Sequence, residues 1–240
     1  MENELKGLLI IISGPSGVGK GTVIRSLKKM YPQFEYPISH TTRDPRPGEK
    51  DGEVYHFISK EQFEQGIEDG DFLEYARVHE TNYYGTLKKP IMDGLKQGKV
   101  IVREVDVQGA HSMKEVVPPE NLVTIFIKAK NKEELMQRIA HRGELPEEEV
   151  KRRMKSAQRE MDLADDFDYQ VWSLQDQIQK CVDDVNAIVV EEMEKAGIDP
   201  ENLGSESVHI MKGMIRILWR SFKRFWMSMG FRRMLGRSRI

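Results

Sequence analysis

A single cysteine, Cys181, among 240 residues leaves no partner for an internal disulfide, so the fold needs a self-sufficient core and fits a reducing compartment. No stretch reaches the about 18 consecutive apolar residues that a spanning helix requires. The opening Met1-Glu2-Asn3-Glu4-Leu5-Lys6 is short and acidic, unlike a signal peptide. Six histidines are scattered, none at metal-ligand spacing from another or from Cys181, so no structural zinc is expected. No serine or cysteine stands in a nucleophile context, and there are no internal repeats. These absences point to a cytoplasmic globular protein, and 39% hydrophobic with 32% charged residues agrees with that class.

Charge is low in sum but unevenly spread. Residues 205–240 carry nine Lys or Arg against the single acid Glu206, a balance of +8, which leaves −10 on the rest of a chain whose formal charge is −2. Two differently charged pieces are joined, with Gly197–Ser207 reading as a linker. In residues 208–240, Met211, Met214, Ile215, Leu218, Phe222, Phe225, Trp226 and Met229 fall on one side of a helical wheel. Lys212, Arg216, Arg220 and Lys223 fall on the other. Such an amphipathic helix suits an anionic membrane surface. Docking on the acidic body or a partner subunit is the next reading, and nucleic-acid contact through the Arg-rich end is the least favoured.

Through the body, strand signals alternate with helix signals. Leu8–Ile12, Val100–Val107, Leu122–Ile127 and Tyr169–Trp172 read as strands. Val23–Lys28, Lys132–Ile139 and Ile178–Lys195 read as helices. That alternation predicts an α/β fold with a central parallel sheet flanked by helices and a ligand at the strands' carboxyl ends. Residues 1–38 and 88–196 form the expected core. Residues 39–87, with short strands at Glu53–Ile58 and Phe72–Val78 and a helix near Lys60–Glu68, read as an inserted lobe. A charge-dense stretch at about 138–154 reads as a mobile flap.

Between the first strand and the first helix runs Gly14-Pro15-Ser16-Gly17-Val18-Gly19-Lys20-Gly21-Thr22. A strand, a glycine loop ending in Gly-Lys and a helix form the context of a P-loop. The glycines let consecutive N–H groups converge on phosphate oxygens, the helix adds its positive end, and Lys20 brings a mobile charge to the outer phosphates. The chain is therefore expected to bind a nucleoside triphosphate with Mg²⁺. Position 21 is glycine, so the hydroxyl that helps hold Mg²⁺ comes from Thr22, directly or through water.

The inserted lobe opens with Ser39-His40-Thr41-Thr42-Arg43-Asp44-Pro45-Arg46-Pro47-Gly48-Glu49. Arg43 and Arg46, three apart in a Pro-stiffened loop, can converge on one phosphate through bidentate guanidinium bonds. Tyr55 and Tyr84 can add phenolic donors. Glu74 and Thr86 match a guanine: the carboxylate accepts from N1–H and the exocyclic amine, and the hydroxyl donates to O6. Adenine offers neither feature and would leave a buried charge unpaired.

These residues stand in a longer series. Ser-His-Thr-Thr-Arg-x-Pro-Arg-x-Gly-Glu is followed by Gly52-x-x-Tyr55-x-Phe57, Phe-Leu-Glu-Tyr-Ala, Asn-Tyr-Tyr-Gly-Thr and Val-Asp-Val-Gln-Gly-Ala, all behind Gly-Pro-Ser-Gly-Val-Gly-Lys. Over about residues 7–195 the chain closely resembles the guanylate kinase family. The resemblance implies a P-loop core, a GMP-binding lobe at 39–87 and a lid at about 130–155. It implies that Ser39, Arg43, Arg46, Tyr55 and Tyr84 hold the GMP phosphate, while Glu74, Thr86 and Asp106 surround the guanine with Glu104 nearby. It also implies that Arg142 and Arg153 close over the triphosphate, with Arg138 one helical turn before Arg142.

Three departures accompany the match. Glu144 stands where the lid usually has Thr, Ser173 where an asparagine usually contacts adenine, and one extra residue lies between Glu74 and Asn82. The implied reaction is transfer of the ATP γ-phosphate to GMP or dGMP, with Lys20, Arg46, Arg142 and Arg153 as the catalytic cations. A kinase for a ribose bisphosphate would not need Glu74 with Thr86. A guanylate-kinase-like scaffold would not need Lys20 in an intact glycine loop.

Overall fold

The computed structural model describes residues 5–78, 81–130, 134–136, 138, 147–174 and 176–199. Two sheets organise it. The first has strand order β6-β1-β7-β8, all parallel, built from β1 (Leu8–Ser13), β6 (Val100–Glu104), β7 (Leu122–Ala129) and β8 (Tyr169–Ser173). The second has order β3-β2-β5-β4, from β2 (His40–Thr41), β3 (His56–Phe57), β4 (Phe72–Val78) and β5 (Asn82–Leu87).

β1 is apolar without alternation because both its faces are covered, as a parallel sheet requires. Helix α1 (Lys20–Met30) packs against α6 (Ile178–Lys195), α3 (Lys88–Lys96) lies on β1 and β6, and α4 (Val107–Val116) touches both β1 and β4. Helix α4 thus reaches both sheets. At the outer side of β6, Glu35 adds one further parallel bridge, to Ile101.

Helix bounds at Lys60–Glu68 (α2) and Ile178–Lys195 agree with expectation, and α2 starts in a reciprocal capping box between Ser59 and Gln62. Strand bounds differ more. The strand expected over Val100–Val107 ends at Glu104, because Asp106 caps α4: its Oδ1 accepts from the Gly109 amide at 2.7 Å. The strand expected at Glu53–Ile58 shrinks to His56–Phe57, and that expected at Leu122–Ile127 extends to Ala129. The charge-dense stretch at about 138–154 contributes α5 (Glu147–Asp162), a helix that runs eight residues past it. The amphipathic segment 208–240 lies outside the described residues, as do Arg142 and Glu144.

The second sheet is held by aromatic packing. Phe63 of α2 is fully buried and stacks on Phe72 at 4.2 Å and Tyr83 at 5.1 Å. Gly85 keeps β5 close to them, since a Cβ there would come within 2.8 Å of Phe72 and 2.9 Å of Phe63. Cys181 is fully buried on α6, and burial pushes its thiol up to about 12. No described helix is long and apolar enough to cross a membrane. Phe63→Ala is expected to cost about 3–5 kcal/mol, read as a lower midpoint in urea unfolding.

Candidate functional site

The glycine loop follows β1 at the carboxyl edge of the first sheet. Gly14, Gly17 and Gly19 have φ of 140°, 86° and 111°, values that side chains resist. At Gly14 space is as strict as φ, because a Cβ would sit 2.4 Å from the Ile127 carbonyl. Gly19 precedes α1 without any side-chain capping bond, so the helix's first N–H groups take no side-chain acceptor there. Val18 is fully buried and anchors the loop's far side. Lys20 Nζ donates to the Gly14 carbonyl at 2.5 Å and to that of Pro15 at 3.2 Å. It lies 3.7 Å from Glu104 Oε1. Thr22 Oγ1 is on the first turn of α1 and accepts from Arg25 at 3.0 Å.

Arg138 and Ser173 meet beside this loop. Arg138 donates to Ser173 Oγ at 3.0 Å, to the Ser173 carbonyl at 3.1 Å and to the Val18 carbonyl at 3.4 Å. Arg153 lies within α5, half-buried. Half-buried Glu160, on the same helix, has its carboxyl pushed up chiefly by burial, with the Ser156 hydroxyl and the positive charge of Lys20 opposing.

On the lobe, Arg43 is fixed rather than mobile. Its Nη2 binds both oxygens of Glu49, at 3.1 and 2.8 Å, and its Nη1 donates to the Asp44 carbonyl at 2.7 Å. The guanidinium sits 5.5 Å from the ring centres of both Tyr55 and Phe57. Tyr55 and Tyr84 meet edge to face at 5.6 Å. Burial raises the Tyr55 phenol, keeping it a neutral donor. Glu49 also accepts from the Arg46 amide at 2.8 Å, while the Arg46 side chain is exposed. Glu49 therefore clamps both ends of the Arg-x-x-Arg turn, a role the sequence reading did not assign to it.

Glu74 and Thr86 are in register. Glu74 lies directly opposite Thr86 in the antiparallel β4–β5 pair, and Thr86 Oγ1 donates to Glu74 Oε1. The other carboxylate oxygen lies against Gly109, where a Cβ would come within 3.0 Å of it and 3.3 Å of Asp106 Oδ1. Glu74, Thr86 and Asp106 are thus brought together. Burial drives the Glu74 carboxyl up, Thr86 and Arg103 pull it back, and Asp106 adds to the rise.

Ser39 Oγ accepts from Arg103 Nη2 at 2.7 Å, and the same nitrogen donates to Thr86 Oγ1. Glu104, at the end of β6, lies 3.7 Å from Lys20 Nζ. Arg103 itself was missed, although an arginine inside Val-Ile-Val-Arg-Glu-Val was a visible signal.

The guanylate kinase family model matches residues 6–192. Guanylate kinases of Nostoc sp., Onion yellows phytoplasma and Clostridioides difficile are 45%, 46% and 42% identical to the chain over 170, 191 and 190 residues. These matches span 71%, 79% and 79% of this chain and 84%, 88% and 90% of the relatives. The crystal structure of guanylate kinase from Anaplasma phagocytophilum is similar at a TM-score of 0.62 with 29% identity, covering 80% of this chain and 90% of that one. Because Glu49 fixes Arg43 through charge-assisted bonds, Glu49→Gln is expected to raise KM for a phosphorylated acceptor about 10-fold and leave KM for ATP unchanged in steady-state assays.

Proposed function

The chain belongs to the guanylate kinase family, and we propose that its glycine loop and its arginine turn act as the two anion cradles of ATP:GMP phosphoryl transfer. It is a nucleoside monophosphate kinase that moves the γ-phosphate of ATP to GMP, giving ADP and GDP. The observation supporting the acceptor's identity is the in-register Glu74–Thr86 pair beside Asp106. A carboxylate with two free acceptor directions suits N1–H and the exocyclic amine of guanine.

In this reading the amides of Gly14–Thr22 bind the ATP phosphates, and Lys20 leaves the Gly14 and Pro15 carbonyls for the outer phosphates. Arg138 and Ser173 border the nucleotide's base. Ser39, Arg43, Arg46, Tyr55 and Tyr84 hold the GMP phosphate, with Glu74, Thr86 and Asp106 around its base and Glu104 nearby. An oxygen of the GMP phosphate attacks the γ-phosphorus, a new P–O bond forms, and the bond to the bridging oxygen of ADP breaks. No protein nucleophile is needed, since positioning and positive charge do most of the work in phosphoryl transfer. Arg142 and Arg153 are assigned to neutralise charge on the migrating group.

The residues present suit a Mg²⁺ that arrives with ATP. Among the described residues no three His, Cys, Asp or Glu gather into a cage, whereas Thr22 puts a hydroxyl on the first turn after the glycine loop. Mg²⁺ typically takes a few protein oxygens plus phosphates and water. When bound it would screen the β- and γ-phosphate oxygens as charge develops.

The test is release of ADP from ATP–Mg²⁺ with GMP, dGMP, AMP, UMP or a ribose bisphosphate as acceptor. Turnover with GMP and dGMP is expected, and Lys20→Met should lower kcat by about 10²–10³. Turnover with AMP and none with GMP would overturn the base assignment. On sequence alone, we also assign the alternating apolar and basic residues of 208–240 to an anionic membrane surface. Full-length protein should float with anionic liposomes while a chain ending at Glu201 stays behind, and equal behaviour of the two would refute it.

A further inference from the structure

Arg103 is an arginine in the interior of a parallel sheet's edge strand, 5% exposed, between Val102 and Glu104 of β6. A guanidinium is not buried without return, because its desolvation is unfavourable unless its donors are used. Three contacts show where they go. Nη1 donates to the Pro37 carbonyl, and Nη2 donates to Ser39 Oγ at 2.7 Å and to Thr86 Oγ1. Thr86 in turn donates to Glu74 Oε1. Nε has no hydrogen-bond partner among the described residues. The chain of bonds therefore runs from guanidinium to hydroxyl to carboxylate, and it ends on the group that reads the purine.

We propose that Arg103 is a positioning and specificity-determining residue for GMP: its guanidinium is the counter-charge of Glu74 and holds the Thr86 hydroxyl as a proton donor toward the base. The inference rests on the assignment of Glu74 and Thr86 to guanine. Two physical consequences support it. First, a Thr hydroxyl has one proton, and with Arg103 donating to its oxygen that proton must go elsewhere. In the free protein it goes to Glu74. When the carboxylate is occupied by N1–H and the exocyclic amine, the proton is released to O6 of guanine. The N6 amine of adenine brings a donor to the same place, and donor meets donor.

Second, Glu74 must be ionised to accept two N–H bonds. The charged and titratable groups around it are Arg103 on β6 and Asp106 at the start of α4. Those around Arg103 are Glu74, Glu104 and Tyr55, with His40 of β2 also within its influence. Arg103 is the one cation among them that favours the Glu74 carboxylate, and it opposes both burial and Asp106.

Arg103→Met and Arg103→Lys test this in the full-length enzyme, with Glu74→Gln as reference. Measured quantities are kcat and KM for GMP, AMP and ATP, the pH profile of kcat/KM for GMP, and the thermal midpoint. Arg103→Met is expected to raise KM for GMP about 10- to 100-fold while KM for ATP stays within about 2-fold. It should also lower the GMP-to-AMP ratio of kcat/KM. The acid limb of the GMP profile should move up by about one pH unit, since losing an adjacent opposite charge raises a carboxyl pKa. Arg103→Lys keeps the charge without the fork, so its acid limb should match the parent while KM for GMP remains elevated.

A lowered thermal midpoint with parallel changes in both KM values, and an acid limb left in place, would mark a purely structural residue and overturn the proposal. If the Met variant does not fold, the Lys variant decides alone, and a KM for GMP equal to the parent's overturns it. Should Glu74→Gln leave GMP kinetics unchanged, the assignment of the base-reading pair itself fails, an outcome separate from the failure of Arg103 alone.

Discussion

Parallel pairing of β1 with β6, Ile12 opposite Glu104, puts the ends of both strands at one edge of the first sheet. Everything chemical hangs from that edge. β1 runs on into the glycine loop, and the last turn of β6 runs on through Asp106 into α4. Because residues alternate along β6, two neighbours serve two different sites: Glu104 meets Lys20, and Arg103 meets Ser39 and Thr86 of the lobe. A slip of one residue in this pairing would exchange the two side chains and bury a carboxylate where the guanidinium belongs. The apolar stretches of β1 and β6, buried on both faces, make such a slip costly.

The lobe has less core and relies on other means. Its sheet is small, and its stability comes from the Phe63–Phe72–Tyr83 stack and from the Glu49 clamp on the arginine turn. Neither uses the side-chain oxygens of Glu74 or Thr86, so rigidity is supplied without occupying them. The arrangement balances a half-buried carboxylate, raised by desolvation, against one buried guanidinium reached through a hydroxyl. Inside a protein such a pair matters more for orientation than for stability.

Much of this could be read from residue order alone where the signal was local. The glycine loop announced itself by spacing, and the helices at Lys60–Glu68 and Ile178–Lys195 were readable with their bounds. Parallel strands were visible as apolar runs, although Val105 and Val107 extended one run past its true end because the capping role of Asp106 outranks β-propensity. What stayed hidden was non-local. Glu49 was in a quoted motif, yet nothing in its spacing shows that it binds Arg43 twice. The side on which Glu104 faces depends on strand register, and Arg103 looked like an interruption because its partners come from three separate segments, at Pro37, Ser39 and Thr86.

The lone thiol has a practical corollary. Cys181 is enclosed on α6, and burial both raises its thiol and shields the sulfur, which disfavours attack by maleimides and mild oxidants. The molecule is in effect cysteine-free toward labelling chemistry. A single cysteine introduced on the exposed turn around Arg46 would take one fluorophore at one place, with the native sulfur left where it is.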